Sequence, residues 1–411
     1  MSKDTFCGMP FTHLNIKNEG KLSACWRYPD PVGDFLTDTL TDTWNSEKLR
    51  QVRKDLLNGV QHSSCKSCWD LERSGAESLR QRSIDMYNID ETAVRNTCKK
   101  DGTYPLKKLT SIEIRFDNIC NLMCRHCSPT YSSVWEQVVK KDQALMDEML
   151  IAGTFRVYEK HVSLTQDIID EVAFLSPNLN EVMITGGEPL YHSKHYDFLE
   201  KLIPEAHHIT LQYNSNFSTL EYKGKSILDL WRHFKHVSIR VSLDAYPEIY
   251  DYVRVRGDLG EAENNIKLAR RTLPNLFMSA TCTASLLNVT RLPQIADYYH
   301  NTLGLQFHSS LVQYPRALNP KLLPQKLKDK VTKDFEEYVV GGNLKDIHPI
   351  REWAEHYRAR WKKFGFNVIN YMNGEDWHEY WPEFVNYTKA QDNYHNTNIL
   401  DYYPEFKEYW K

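Results

Sequence analysis

Cys120, Cys124 and Cys127 close the run Phe116-Asp-Asn-Ile-Cys-Asn-Leu-Met-Cys-Arg-His-Cys127 and form a C-x3-C-x2-C triplet. Cubane 4Fe-4S clusters are usually held by four thiolates, so three closely spaced ones leave one iron open to another ligand. A zinc site or a group of buried thiols are the plainer readings of the same spacing. A second set comprises Cys7, Cys25, Cys65 and Cys68, the last two as C-x2-C. Four thiolates complete a structural zinc site or an electron-relay 4Fe-4S cluster equally well, with no open position. Of the nine Cys, Cys98 and Cys282 remain. Cys282 falls in a strand-like run whose alternation would allow it to act as a hydrogen-atom donor, although a small buried core residue is the plainer role.

About sixty residues after the triplet, Met183-Ile-Thr-Gly-Gly-Glu-Pro-Leu190 ends a strand-like run. Gly186 and Gly187 let the backbone approach a ligand closely, and the Glu188 carboxylate can accept hydrogen bonds from an ammonium group. Taken alone, this is a tight turn. Two more strand ends carry polar groups, Asn216 in Asn214-Ser-Asn-Phe-Ser218 and Ser242 with Asp244 in Val241-Ser-Leu-Asp-Ala245. The second is also what a simple strand-to-helix cap looks like.

These groups need a frame, and the middle of the chain supplies one. Apolar or β-branched runs at Leu109–Phe116, Glu181–Thr185, His208–Tyr213, His236–Leu243, Leu276–Ser285 and Leu305–Val312 alternate with helix-length segments such as Lys194–Leu202, Gly260–Arg271 and Leu292–His300. Such alternation implies a parallel sheet with right-handed crossovers. Six units fit an incomplete (βα)6 TIM-like barrel, whose reactive groups gather at the carboxyl ends of the strands. The first ~100 residues break the pattern and read as a small Cys-rich domain. After Pro320 the chain is helical and then aromatic, with Trp353, Tyr357, Trp361, Phe364, Tyr371, Trp377, Tyr380 and Trp381, as expected of a packed cap. The expected layout is 1–100, 108–318 and 319–411.

With 41% hydrophobic and 26% charged residues over 411 positions, the composition is that of a globular protein. Lys and Arg number 51 against 54 Asp and Glu, a net charge of −3 that asks for neither nucleic acid nor an anionic membrane. No apolar stretch approaches a membrane span and the first residues lack the apolar core of a signal peptide, so a cytoplasmic location is expected. In that compartment patterned Cys suit metal better than disulfides.

The triplet followed one strand later by Gly-Gly-Glu-Pro resembles the radical S-adenosylmethionine (radical SAM) superfamily. The resemblance implies that the open iron binds S-adenosylmethionine, with Gly186, Gly187 and Glu188 at its methionyl end. It also implies Asn216, Ser242 and Asp244 as further cofactor contacts, Arg254 or Arg256 at the cofactor carboxylate, and the backbone of Val312-Gln-Tyr-Pro315 at the adenine. His126 departs from the pattern, because relatives place an aromatic ring there against the adenine; an imidazole can stack but titrates near neutral pH. The N-terminal Cys7, Gly20-x4-Cys25, Leu40–Arg53 and Cys65-x2-Cys68 resemble the SPASM/twitch module, here preceding the barrel. That implies one auxiliary 4Fe-4S cluster. The activity implied is reductive cleavage of S-adenosylmethionine to a 5′-deoxyadenosyl radical that abstracts hydrogen from a substrate, a peptide or a small molecule, for oxidation or peptide modification. An electron donor such as flavodoxin or ferredoxin would serve it. The rival is a non-catalytic zinc-binding interaction or nucleic-acid-binding protein using both Cys sets structurally, against which Gly-Gly-Glu-Pro argues.

Overall fold

The computed structural model describes residues 5–410 except 74–76, 152–160, 313–314 and 347–350. The chain forms two compact units, one of Met1–Asn118, Lys160–Tyr213 and Lys223–Val237, the other of Ile119–Glu159, Asn214–Tyr222 and Ser238–Lys411.

The first unit is built on strands β1 (His13–Ile16), β2 (Lys21–Ser23), β3 (Gly33–Asp34), β4 (Ser111–Arg115), β5 (Glu181–Thr185) and β6 (Thr210–Ser215). β4, β5 and β6 pair in parallel, as the strand–helix alternation requires. β1 also pairs with β4 in parallel, Asn15 opposite Glu113, while β2 and β3 continue outward antiparallel. The expected parting near residue 100 is therefore bridged by backbone hydrogen bonds, and the Cys-rich segment extends the sheet rather than standing apart from it.

Alternation along β4 sends Ile112 and Ile114 to one face and Ser111, Glu113 and Arg115 to the other. Parallel strands are usually apolar on both faces; here the second face is polar. Thr185 Oγ1 donates to Glu113 Oε1 at 2.9 Å and accepts from Arg115 Nε at 3.0 Å. Ser111 Oγ lies 2.9 Å from His13 Nδ1 and donates to Glu181 Oε1 at 3.2 Å. Polar groups spend burial energy only where hydrogen bonds return it, so this face is built for something other than packing.

Helix α1 (Glu47–Leu57) starts where the Ser46 side chain accepts from the Leu49 amide, and it buries Leu49, Val52 and Leu56. α2 (Lys66–Arg73) carries Cys68 and buries Trp69, α3 (Leu79–Met86) opens with a capping box between Ser78 and Gln81, and α4 (Ser193–Leu202) follows the Gly-Gly-Glu-Pro segment.

The second unit contains β7 (His236–Ser242), β8 (Phe277–Ala284) and β9 (Gln306–Leu311), all parallel. α5 (Leu259–Thr272), capped by Asp258, buries Ala262, Ile266 and Ala269. The helix expected over Leu292–His300 runs as Leu292–Ala296 and continues as a wider π-type turn, Asp297–Thr302. Beyond it come α6 (Gln325–Val340), α7 (Arg351–Asn373) and α8 (Trp381–His395). Gly365 has no Cβ because the Phe335 ring would meet one at 1.8 Å. Trp361 stacks on Phe307, ring centroids 4.0 Å apart, and Trp381, Phe384 and Phe406 form a second aromatic group. Trp361, Phe364, Trp381, Phe384 and Phe406 thus serve as core. Among the described residues no helix is long and apolar enough to cross a membrane.

Candidate functional site

The triplet occupies the loop after β4. Among the bonds that hold its backbone, the Met123 amide donates to the Val255 carbonyl and the Arg125 amide to the Val253 carbonyl, both at 3.0 Å, and the Trp135 indole N–H donates to the Cys124 carbonyl at 3.0 Å. The Leu122 amide points at Cys120 Sγ, 3.4 Å away. Asn121, between the first two cysteines, accepts from Asn216 Nδ2 at 2.8 Å and donates to Ser218 Oγ at 2.9 Å. Asn216 is therefore brought to the cysteine loop as a brace. Phe217 takes the left-handed backbone, φ +60°; the Ser215 hydroxyl accepts from its N–H and the Asn265 amide donates to its carbonyl, at 2.9 Å each.

Asp244 follows β7, buried and with φ +55°. Its carboxylate pairs with Arg254 Nη1, lies 3.3 Å from His126 Nε2 and accepts from the Thr283 amide at 2.7 Å, while Asn288 Nδ2 donates to its carbonyl at 3.0 Å. Burial pushes the Asp244 carboxyl up, but His126, Arg254 and the Thr283 amide outweigh it and hold the group far below the usual carboxylate range. Likewise burial works against the Arg254 charge, yet Cys124 and Asp244 beside it more than compensate. Arg254 is 5% exposed, whereas Arg256 faces solvent, which separates two residues that the sequence left equal. The His126 ring engages Asp244 through its edge, a role that spacing alone did not suggest. Ser242 ends β7, half-buried, opposite Thr281.

Cys282 sits on the apolar face of β8 with Ala280 and Ala284, fully buried, its Sγ 3.9 Å from the Asp244 carbonyl. Thr281 and Thr283 take the opposite face. The hydrogen-donor role sketched for Cys282 has no support from this placement, because a strand's period of two turns it toward packing neighbours. Of the expected adenine contacts, Gln313 and Tyr314 lie outside the described residues, and Val312 is buried.

In the first unit Gly186 adopts φ +122°, and a Cβ there would come within 3.1 Å of the Asp117 carbonyl. The Gly187 amide donates to that same carbonyl at 3.2 Å. Glu188 is buried, with Oε1 accepting from the Leu190 amide at 3.1 Å. Gly186 is thus required by the backbone itself, apart from any ligand. Asp117 lies among His161, His192 and Ser163; burial pushes its carboxyl up, but hydrogen bonds from His192, Ser163 and the Asn118 amide bring it down to about 2.

Cys7, Cys25 and the Cys65–Cys68 pair come together from three separate segments to line one cavity, walled also by Met9, Leu56, Leu79, Arg27 and Arg80. Burial pushes the Cys7 thiol up to about 11 and Cys25 to about 12, each helped by neighbouring thiols. In the triplet, burial and Cys124 push Cys127 up to about 12. Thiols so placed become ligands only when a cation offsets their charge. Among the described residues neither Cys set gathers three ligand atoms within 4.8 Å. The group that does meet 4.8 Å is Glu205, His207 and His208, partly exposed before β6.

Residues 114–290 match the family model of the radical SAM superfamily, and residues 7–69 match the model of an iron–sulfur cluster-binding domain, SPASM. The chain carries a radical SAM domain over residues 114–290. The two domains imply a 4Fe-4S cluster and an auxiliary iron–sulfur cluster, and the two Cys sets fit them in number. No curated protein matches the chain. Among solved structures it is similar to native anSMEcpe with bound AdoMet (15% identity over 57% of this chain and 64% of that one, TM-score 0.39). It is also similar to Streptococcus suis SuiB bound to the precursor peptide SuiA (11% identity, 71% and 63%, TM-score 0.40) and to TYW1 with a lysine-pyruvate adduct bound (15% identity, 60% and 81%, TM-score 0.31). The chain spans under two thirds of the length of anSMEcpe and SuiB.

Proposed function

We propose that this protein is a radical SAM enzyme in which Cys120, Cys124 and Cys127 hold a 4Fe-4S cluster that S-adenosylmethionine completes, and Cys7, Cys25, Cys65 and Cys68 hold an auxiliary 4Fe-4S cluster. The observation that carries it is the pair of thiol sets, one closed at four ligands around a cavity and one left at three beside a buried guanidinium. When bound, the catalytic cluster supplies the electron that cleaves the cofactor to a 5′-deoxyadenosyl radical, which takes hydrogen from the substrate.

The chain's own residues have distinct tasks in this reading. Gly186 and Gly187 bring the backbone to the methionyl end and Glu188 accepts from its ammonium. Arg254, rather than Arg256, supplies the positive charge near the cofactor carboxylate, with Asp244 orienting it and His126 closing the pair. Ser242 is the further polar group at the β7 end, and Asn216 acts through Asn121 on the cysteine loop. The barrel interior corresponds to the polar sheet face, and a peptide is the substrate class that the SPASM resemblance implies. A cluster held by Cys7, Cys25, Cys65 and Cys68 would have no open position and would serve electron transfer, with a donor such as flavodoxin or ferredoxin, or a structural role.

Anaerobic reconstitution tests this. About eight irons per chain are expected, falling to about four in the Cys120→Ala/Cys124→Ala/Cys127→Ala variant, with reductant-dependent formation of 5′-deoxyadenosine in the parent alone. Zinc in place of iron, or no 5′-deoxyadenosine, rules the reading out.

A further inference from the structure

Arg125 stands between the second and third cysteines of the triplet and is 1% exposed. Its Nε donates to the Tyr252 carbonyl at 2.7 Å, and the guanidinium lies over the Tyr252 ring, 3.8 Å from its centroid. Its other side-chain partners, and those of its carbonyl, come from the far end of the chain. Nη1 is 3.0 Å from Asp392 Oδ1, and Nη2 donates to Thr397 Oγ1 at 2.6 Å. The Arg125 carbonyl accepts from Gln391 Nε2 at 3.0 Å and from the Tyr387 hydroxyl. Asp392 is itself fixed, accepting from Thr397 Oγ1 at 2.7 Å and the Ile399 amide at 2.8 Å. Asn396, in the left-handed conformation at φ +52°, turns the chain out of α8 so that Thr397 returns beside Asp392. A parallel link runs through Trp135, which holds the Cys124 carbonyl and meets the His395 ring edge-on at 6.1 Å.

A buried guanidinium is a poor device for stability alone, since an apolar side chain of similar volume avoids its desolvation. What the planar fork contributes is register, because its donors fit only one placement of their partners. Arg125 neighbours Cys124 and lies two residues from Cys127, so whatever fixes Arg125 fixes both thiols. Groups that hold metal ligands in this way tune affinity and potential without touching the metal.

We propose that α8, through Asp392, Gln391 and Tyr387 acting on Arg125, is a positioning element of the three-cysteine site. It sets where Cys124 and Cys127 stand, and so how firmly that site holds iron and at what potential. The part concerning iron rests on the radical SAM reading; the tether itself does not.

The test uses the full chain with Asp392→Ala, Asp392→Glu and the milder Gln391→Ala, reconstituted anaerobically. The four-cysteine site of the other unit is the internal control. In Asp392→Ala, a chelator should strip the triplet's iron about tenfold faster or more, while the auxiliary iron leaves at the parent rate. The potential of the S-adenosylmethionine-responsive EPR signal should shift in Asp392→Ala and Gln391→Ala and return toward the parent value in Asp392→Glu. In the metal-free chain, trypsin should cleave after Arg125 faster in Asp392→Ala than in the parent, a readout that holds even where iron analysis goes against the radical SAM reading. Unchanged trypsin cleavage, unchanged potential, or equal loss of iron from both sites would overturn the proposal.

Discussion

Lowering the pH from 7 to 5 should cost the first unit about 4 kcal/mol through two buried histidines. His195, on the first turn of α4 behind the Gly186–Tyr191 segment, is fully buried with Nε2 2.9 Å from the Tyr213 hydroxyl. Burial, then the charge of His192, hold its pKa down to about 3. His13, on β1 beside Ser111, is likewise buried; burial lowers it to about 4 against the pull of Glu113. Both folded pKa values lie below the unfolded value of 6.5. The fold therefore favours neutral imidazole, and its stabilising effect is fully present above pH 6.5. As pH falls, the unfolded chain takes up protons that the folded chain refuses, and the effect is lost until the folded values are reached. At pH 5 the unfolded imidazole is about thirtyfold protonated over neutral, worth about 2 kcal/mol for each histidine. Urea unfolding at pH 7, 6 and 5 should show this. His195→Gln keeps a neutral partner for Tyr213, and its loss of stability between pH 7 and 5 should be smaller than the parent's by about 2 kcal/mol. Comparing the two losses cancels any acid lability of bound clusters, which both proteins share. Equal losses would refute the assignment of His195 as a buried neutral group.

The remaining predictions concern the thiol sites and what surrounds them. Cys65→Ala/Cys68→Ala should lower iron from about eight to about four per chain while the triplet's S-adenosylmethionine-responsive signal survives; one zinc per parent chain would refute the assignment of the four-cysteine site to iron. Gly186→Ala forces a Cβ to 3.1 Å from the Asp117 carbonyl at φ +122°, so it should lose about 1–3 kcal/mol in thermal unfolding and most 5′-deoxyadenosine formation. Arg254→Ala leaves the Asp244 carboxylate buried without its main partner and should cost about 3–5 kcal/mol, whereas Arg256→Ala at the surface should stay within about 0.5 kcal/mol. Trp361→Ala removes the ring stacked on Phe307 and should cost about 3–5 kcal/mol, measured by urea unfolding.

What the sequence determined alone is what depends on neighbours along the chain. Thiol spacing within eight residues puts three candidate ligands on one loop, and Gly-Gly-Glu-Pro one strand later is what turned that loop toward a cluster reading. The apolar and β-branched run placed Glu181–Thr185 at its observed bounds, since such a run is a local property. The Ser46 and Asp258 caps likewise mark helix starts through bonds three residues long. Tertiary structure decided whatever depends on which face meets which. Arg254 and Arg256 differ by two residues and are equivalent in spacing, but the turn after Val253 buries one and exposes the other. Cys282 and Thr283 differ by one, and only pairing of β8 with β7 and β9 sends the thiol toward packing and the threonines to the polar face. Nothing in the local pattern around Arg125 names Asp392. Their pairing exists because a buried guanidinium must find its counter-charge wherever the fold brings one, and here the fold brings it from the last helix to the cysteine loop.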